Sequence, residues 1–387
     1  MHGRRADVLQ VGRDWARTLG RRPALDGVRA LAVLAVVGQH YFGGMVPGGA
    51  VGVTVFFVLS GFLITCLLLE EWERRGAVSL RRFWGRRALR LLPALLLLLS
   101  VDVAVHLAID GSAGPARAWA AVWGPLSYVW NWLLIAGRRP NELTPLWSLS
   151  VEEQFYVAWP LLLLALLAAG LRGRRLAVAV AGLACVALVW ELRWWAAVGG
   201  ASRLYSGTDM RAYQLLGGCA LACAWRAGAL DRVLSSRAAR PAAWLAAGVL
   251  VATALMTRGS AEVTPLGALS AAAAGAVILG CVEGRARVVR LLGEGPLAAI
   301  GRISYGVYLW NFFFVDITGW RAPYRALDLA LTLLVPYLSF RLVEEPCLRF
   351  KERFAAGAPP LAGPAHTARR ARPRHVGLPQ GAGAPMD

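Results

Sequence analysis

Long apolar runs, interrupted at short intervals by clusters of arginine, constrain the fold of this chain more than any other feature of it. A helix needs about twenty predominantly apolar residues to cross a bilayer. Ten stretches approach that length, at about 28–45, 51–69, 91–109, 146–170, 176–190, 211–225, 241–257, 265–281, 300–315 and 324–343. Charged residues make up 17% of the chain and hydrophobic ones 57%, where a soluble domain carries about a quarter charged. The pattern predicts an all-α polytopic integral membrane protein with about ten transmembrane helices.

The loops orient these spans. Residues 70–90, "EEWERRGAVSLRRFWGRRALR", contain Arg74, Arg75, Arg81, Arg82, Arg86, Arg87 and Arg90. So dense a cationic loop belongs in the cytoplasm. The later basic clusters alternate correctly only if 118–137 does not cross fully. That stretch is rich in tryptophan and interrupted by Gly124–Pro125, and is expected to be re-entrant or interfacial. The result is a multi-pass protein of the cell membrane with both termini cytoplasmic. The net charge of +19 therefore reflects topology rather than a nucleic-acid ligand.

Residues 1–23 are basic and lack the apolar core of a signal peptide, so they are expected to remain as a cytoplasmic segment. Residues 24–350 form the membrane domain. The 351–387 stretch is basic, has no apolar periodicity, and is expected to be disordered. The six cysteines are scattered through apolar runs and give neither a disulfide framework nor a metal-ligand spacing; no metal is expected.

Ionisable residues inside apolar spans are costly and mark cavities. Arg29 and His40 lie eleven positions apart, nearly on one helix face and roughly 16 Å apart along the axis. His40 suits general-base work, with a histidine merely hydrogen-bonded between helices as the alternative. In "RRALR", Arg86, Arg87 and Arg90 would present three guanidiniums together on a helix, a geometry suited to phosphate. Glu152 and Glu153 point about 100° apart, so one is expected to face the bundle and the other water. Asp209 and Arg211 are expected to form an ion pair. Ser60 is expected to bond its own helix backbone beside a packing glycine, Gly61. A late span carries Ser304, Tyr305, Tyr308 and Asn311.

Taken in order, "LDGVRALAVLAVVGQH", "FFVLSGFLIT", "RRFWGRRALRLLPAL", "LWSLSVEEQFYVAWP", "TDMRAYQLLGG", "ISYGVYLWN" and "VEEP" resemble the membrane acyltransferase family 3. The resemblance implies an O-acyltransferase with no tightly bound cofactor that uses acyl-CoA as co-substrate. It implies that Arg29, Arg86, Arg87 and Arg90 bind acyl-CoA and that His40 and Glu153 are catalytic. The pattern departs at Asn311, where many relatives carry histidine. The chain's shortness, and a composition expected of a high-GC genome, look like short actinobacterial members that acylate a macrolide or its sugar. Such a chain would lack the extra periplasmic domain of some relatives. The other acceptor implied is a cell-surface polysaccharide or glycolipid. Sequence leaves open whether acyl transfer is direct or passes through an acyl-enzyme. A transporter or flippase, or a sensor that binds acyl-CoA without turnover, are the rival classes.

Overall fold

The computed structural model describes residues 17–110, 115–138, 143–198, 202–257, 265–284, 287–318 and 322–349. Most of the expected amino-terminal segment (1–16) and all of the 351–387 tail lie outside the described residues. Among the described residues there is no strand.

Ten long helices match the ten apolar stretches one for one. They are α1 (Ala24–Phe42), α2 (Gly49–Arg75), α3 (Leu80–Asp110), α4 (Leu146–Ala168), α5 (Gly173–Val198), α6 (Thr208–Arg226), α7 (Ala239–Met256), α8 (Pro265–Glu283), α9 (Ser304–Thr318) and α10 (Arg325–Ser339). Helix α10 runs on into a π-helical turn at Phe340–Glu344. Seven helices are long and apolar enough to cross a membrane by length and composition, all except α1, α6 and α9. The exceptions have a physical reason. Helix α9 has only 15 residues, while α1 and α6 give up apolar positions to Asp26, Arg29 and His40, and to Asp209, Arg211 and Arg226.

Helix α2 runs through the centre, and 78% of its most apolar window is buried. It crosses α6 at a reciprocal glycine contact. A Cβ on Gly61 would stand 2.0 Å from the Leu215 carbonyl oxygen, and one on Gly218 would stand 2.0 Å from that of Val58. Lipid tails supply no hydrophobic drive between helices, so close backbone approach has to provide the packing gain. Helices α1 and α8 pack on other sides of α2, and α9 lies between α1 and α10.

The stretch expected to be re-entrant forms two short helices, Pro115–Leu126 and Trp130–Ile135. Twelve and six residues rise only about 18 Å and 9 Å, well short of the roughly 30 Å apolar core. The break does not fall at Gly124–Pro125, which stays inside the first helix. The chain turns at Tyr128, whose φ is 55°. Gly124 instead allows the return: a Cβ there would meet Leu133 Cδ1 at 2.9 Å and Trp130 Cε3 at 3.0 Å. Buried Asn131 anchors the hairpin, donating to the Ser206 carbonyl at 3.1 Å and to Thr208 Oγ1 at 3.0 Å.

Two polar expectations change. Asp209 pairs with Arg203 at 2.8 Å rather than with Arg211. Arg211 turns the other way, donating from Nε to the Tyr205 carbonyl at 2.8 Å, because the two side chains leave α6 about 200° apart. Arg226, which reads as one of a basic loop cluster, is wholly buried between Glu70 at 3.1 Å and Glu73 at 2.5 Å.

Candidate active site

Helices α1, α2, α3, α4 and α9 line a half-open cavity of about 220 Å³. Its cationic end is built from Arg29 of α1 and from Arg87 and Arg90 of α3. The spacing of Arg87 and Arg90 puts both on one helix face. Arg87 lies over the Tyr156 ring, 3.4 Å from its centroid, and stands 3.8 Å from Glu153. Arg29 and Arg90 make no hydrogen bond or ion pair with another described residue. Phe56, Phe57, Leu63, Leu67 and Leu149 supply apolar wall. A cavity with several guanidiniums at one end and hydrocarbon along its sides fits an anionic head carrying a less polar arm.

One carboxylate lines the cavity, and it is Glu152. Ser60 Oγ donates to it at 2.9 Å and Tyr156 Oη at 3.2 Å. Ser60 thus bonds across to α4, contrary to the expected bond within its own helix. Glu153 is not a lining residue. It faces Arg87 with its side chain 13% exposed, so neither acid stands free in water. Arg86 is absent from the lining too. Its side chain is 40% exposed and pairs with Glu71 at 3.3 Å. Of the residues expected from sequence, Arg29, Arg87 and Arg90 come together, while Arg86 and Glu153 stay out of the cavity. The i,i+4 spacing of Glu152 and Tyr156 was readable from sequence; their meeting with Ser60 was not.

His40 lies in the last turn of α1, and it does not line the cavity. The cavity wall reaches Tyr308, one turn of α9 before Asn311, whose Oδ1 meets His40 Nδ1 at 2.5 Å. Phe56 and Tyr308 pack edge to face there, centroids 6.5 Å apart. The Tyr308 hydroxyl is held by the Pro145 carbonyl at 2.9 Å and by Ser148 Oγ at 2.5 Å. The guanidiniums of Arg29, Arg87 and Arg90 therefore share a cavity whose lining does not include His40.

The fold is that of a multi-pass helical membrane protein, and its sequence places it among acyltransferase domains. Residues 22–340 match the family described as Acyltransferase domain, and the chain belongs to that family. Similar proteins include the peptidoglycan O-acetyltransferase OatA of Listeria monocytogenes, 34% identical over 352 residues, covering 84% of this chain and 55% of that protein. YrhL of Bacillus subtilis, provisionally named a peptidoglycan O-acetyltransferase, is 32% identical over 354 residues, covering 84% and 54%. A protein of Staphylococcus aureus strain COL, provisionally named an O-acetyltransferase, is 31% identical over 349 residues, covering 84% and 57%. The chain thus spans about half the length of these curated relatives. No solved structure matches it.

Proposed function

We propose that the chain is a membrane O-acyltransferase that takes an acetyl group from acetyl-CoA at its arginine-rich face and passes it towards a hydroxyl of a cell-surface glycan on the opposite side. The observation that carries this reading is the convergence of Arg29, Arg87 and Arg90 on one cavity, where Arg29 and Arg90 make no hydrogen bond or ion pair with another described residue. Phosphates of the donor would bind there, and the thioester arm would follow the apolar wall towards His40. The basic loop on that side argues for a cytoplasmic donor. Relatives named for peptidoglycan or O-acetyl transfer favour a surface polymer over the macrolide that chain length and composition pointed to.

Two routes remain for the chemistry. In direct transfer, His40 takes the acceptor hydroxyl's proton as the oxygen attacks the thioester carbonyl, and the thiolate leaves to be protonated as free CoA. In the relay, His40 Nε2 attacks first, the CoA thiolate leaves and is protonated by water, and the acetyl-imidazolium is then attacked by the acceptor hydroxyl, whose proton passes to water as neutral His40 is regenerated. Either way the thioester has to reach His40, which does not line the arginine cavity.

Proteoliposomes supplied with acetyl-CoA and a muropeptide acceptor test the reading. Free thiol and acetylated glycan should appear in equal amounts. A membrane protein that moves substrate across with no thiol released is a transporter, and that result would overturn the proposal.

A further inference from the structure

An imidazole reacts through one nitrogen at a time, and which nitrogen is bare depends on what the other one meets. The side chain facing His40 is an amide, which has a donor end and an acceptor end. Asn311 is wholly buried in α9. Its Nδ2 donates to two backbone carbonyls of its own helix, Val307 at 3.1 Å and Tyr308 at 2.5 Å. Turning the amide over would set its oxygen against both carbonyl oxygens, so the acceptor end is the one that faces His40. Tyr41 Oη donates to the Asn311 carbonyl at 3.1 Å and meets Thr332 Oγ1 at 2.7 Å, which holds α1 and α9 in register. The Phe312 ring stands edge-on to the imidazole, centroids 5.1 Å apart.

We infer that Asn311 is a positioning residue: its buried amide oxygen accepts a hydrogen bond from Nδ1–H of His40 and so presents a bare Nε2 to the reaction. Nε2 then takes the acceptor's proton in direct transfer, or forms the bond to the acetyl carbon in the relay, and in both cases the other proton stays on His40 Nδ1, donated to Asn311 Oδ1. The amide is neutral, so it fixes tautomer and ring orientation without adding a charge to the pair. This inference rests on the reading of His40 as the reacting group.

The test combines a spectrum with kinetics. The full chain, labelled with 15N-histidine and reconstituted in bilayers, is examined by solid-state NMR at alkaline pH, taking as His40 the signals lost in His40→Gln. The expected wild-type spectrum shows one tautomer, with Nδ1 protonated and Nε2 bare. Asn311→Leu, which removes the acceptor, should mix the tautomers and lower kcat about tenfold to a hundredfold, the range seen when a histidine's orienting partner is lost. The KM for acetyl-CoA should stay within about twofold, since the arginine cavity is untouched. A wild-type His40 protonated on Nε2, or an Asn311→Leu protein with wild-type kcat while His40→Gln is inactive, overturns the inference. If His40→Gln itself keeps wild-type turnover, the functional reading fails while the tautomer result still decides the role of Asn311.

Discussion

Arg86 and Arg87 differ by one helical step of about 100°, and that step separates a surface ion pair from a cavity wall. Arg86 already has Glu71 at 3.3 Å, whereas Arg90 has no hydrogen bond or ion pair with another described residue. Replacing Arg90 by Ala should therefore raise the KM for acetyl-CoA about tenfold or more, since a charge-assisted hydrogen bond contributes about 1.5–3 kcal/mol. Arg86→Ala should leave it within about twofold. Steady-state kinetics on the two purified variants check this, and equal effects would contradict it. The distinction was out of reach of the sequence. Spacing places all three guanidiniums on a broad arc, but the carboxylate that draws Arg86 away sits fifteen residues earlier on another helix. Glu152 and Glu153 were separable only up to the same limit. Their 100° divergence was legible, but which one faces the bundle is decided by Ser60 of α2. Glu152→Gln should accordingly cost at least about tenfold in kcat if the Ser60–Glu152–Tyr156 set orders the cavity wall, measured as thiol release.

At the level of helices, the reciprocal contact between Gly61 and Gly218 sets how closely α2 and α6 approach, and α2 carries Ser60 into the cavity. A larger side chain at Gly218 would meet the Val58 carbonyl directly, and overpacking of a tight contact costs about 1–3 kcal/mol or more. Gly218→Leu should lower the thermal midpoint in detergent and the monodisperse yield. Gly217→Ala, which faces open space, should change neither. The apolar run lengths made all ten long helices legible in advance, and the doubt over 118–137 was also resolvable from charge alternation. The site of its turn was not. Gly124–Pro125 is the stronger local punctuation, yet the chain turns at Tyr128, because tertiary anchoring through Asn131 and Trp130 outweighs local propensity.

For the whole molecule, the claim is vectorial: donor on the arginine-rich side, acceptor on the side where His40 ends α1. A cysteine-free protein with single cysteines at Arg82 or at the 74%-exposed Met45 tests the direction with an impermeant maleimide. The Arg82 position should label only in inverted vesicles and the Met45 position only in intact cells; the reverse pattern would contradict the orientation. The separation of donor binding from reaction at His40 is checked by comparing acetyl-CoA binding and CoA release in the wild type and His40→Gln. The account predicts that His40→Gln binds acetyl-CoA with unchanged Kd and releases no thiol. Release at the wild-type rate from His40→Gln would contradict it.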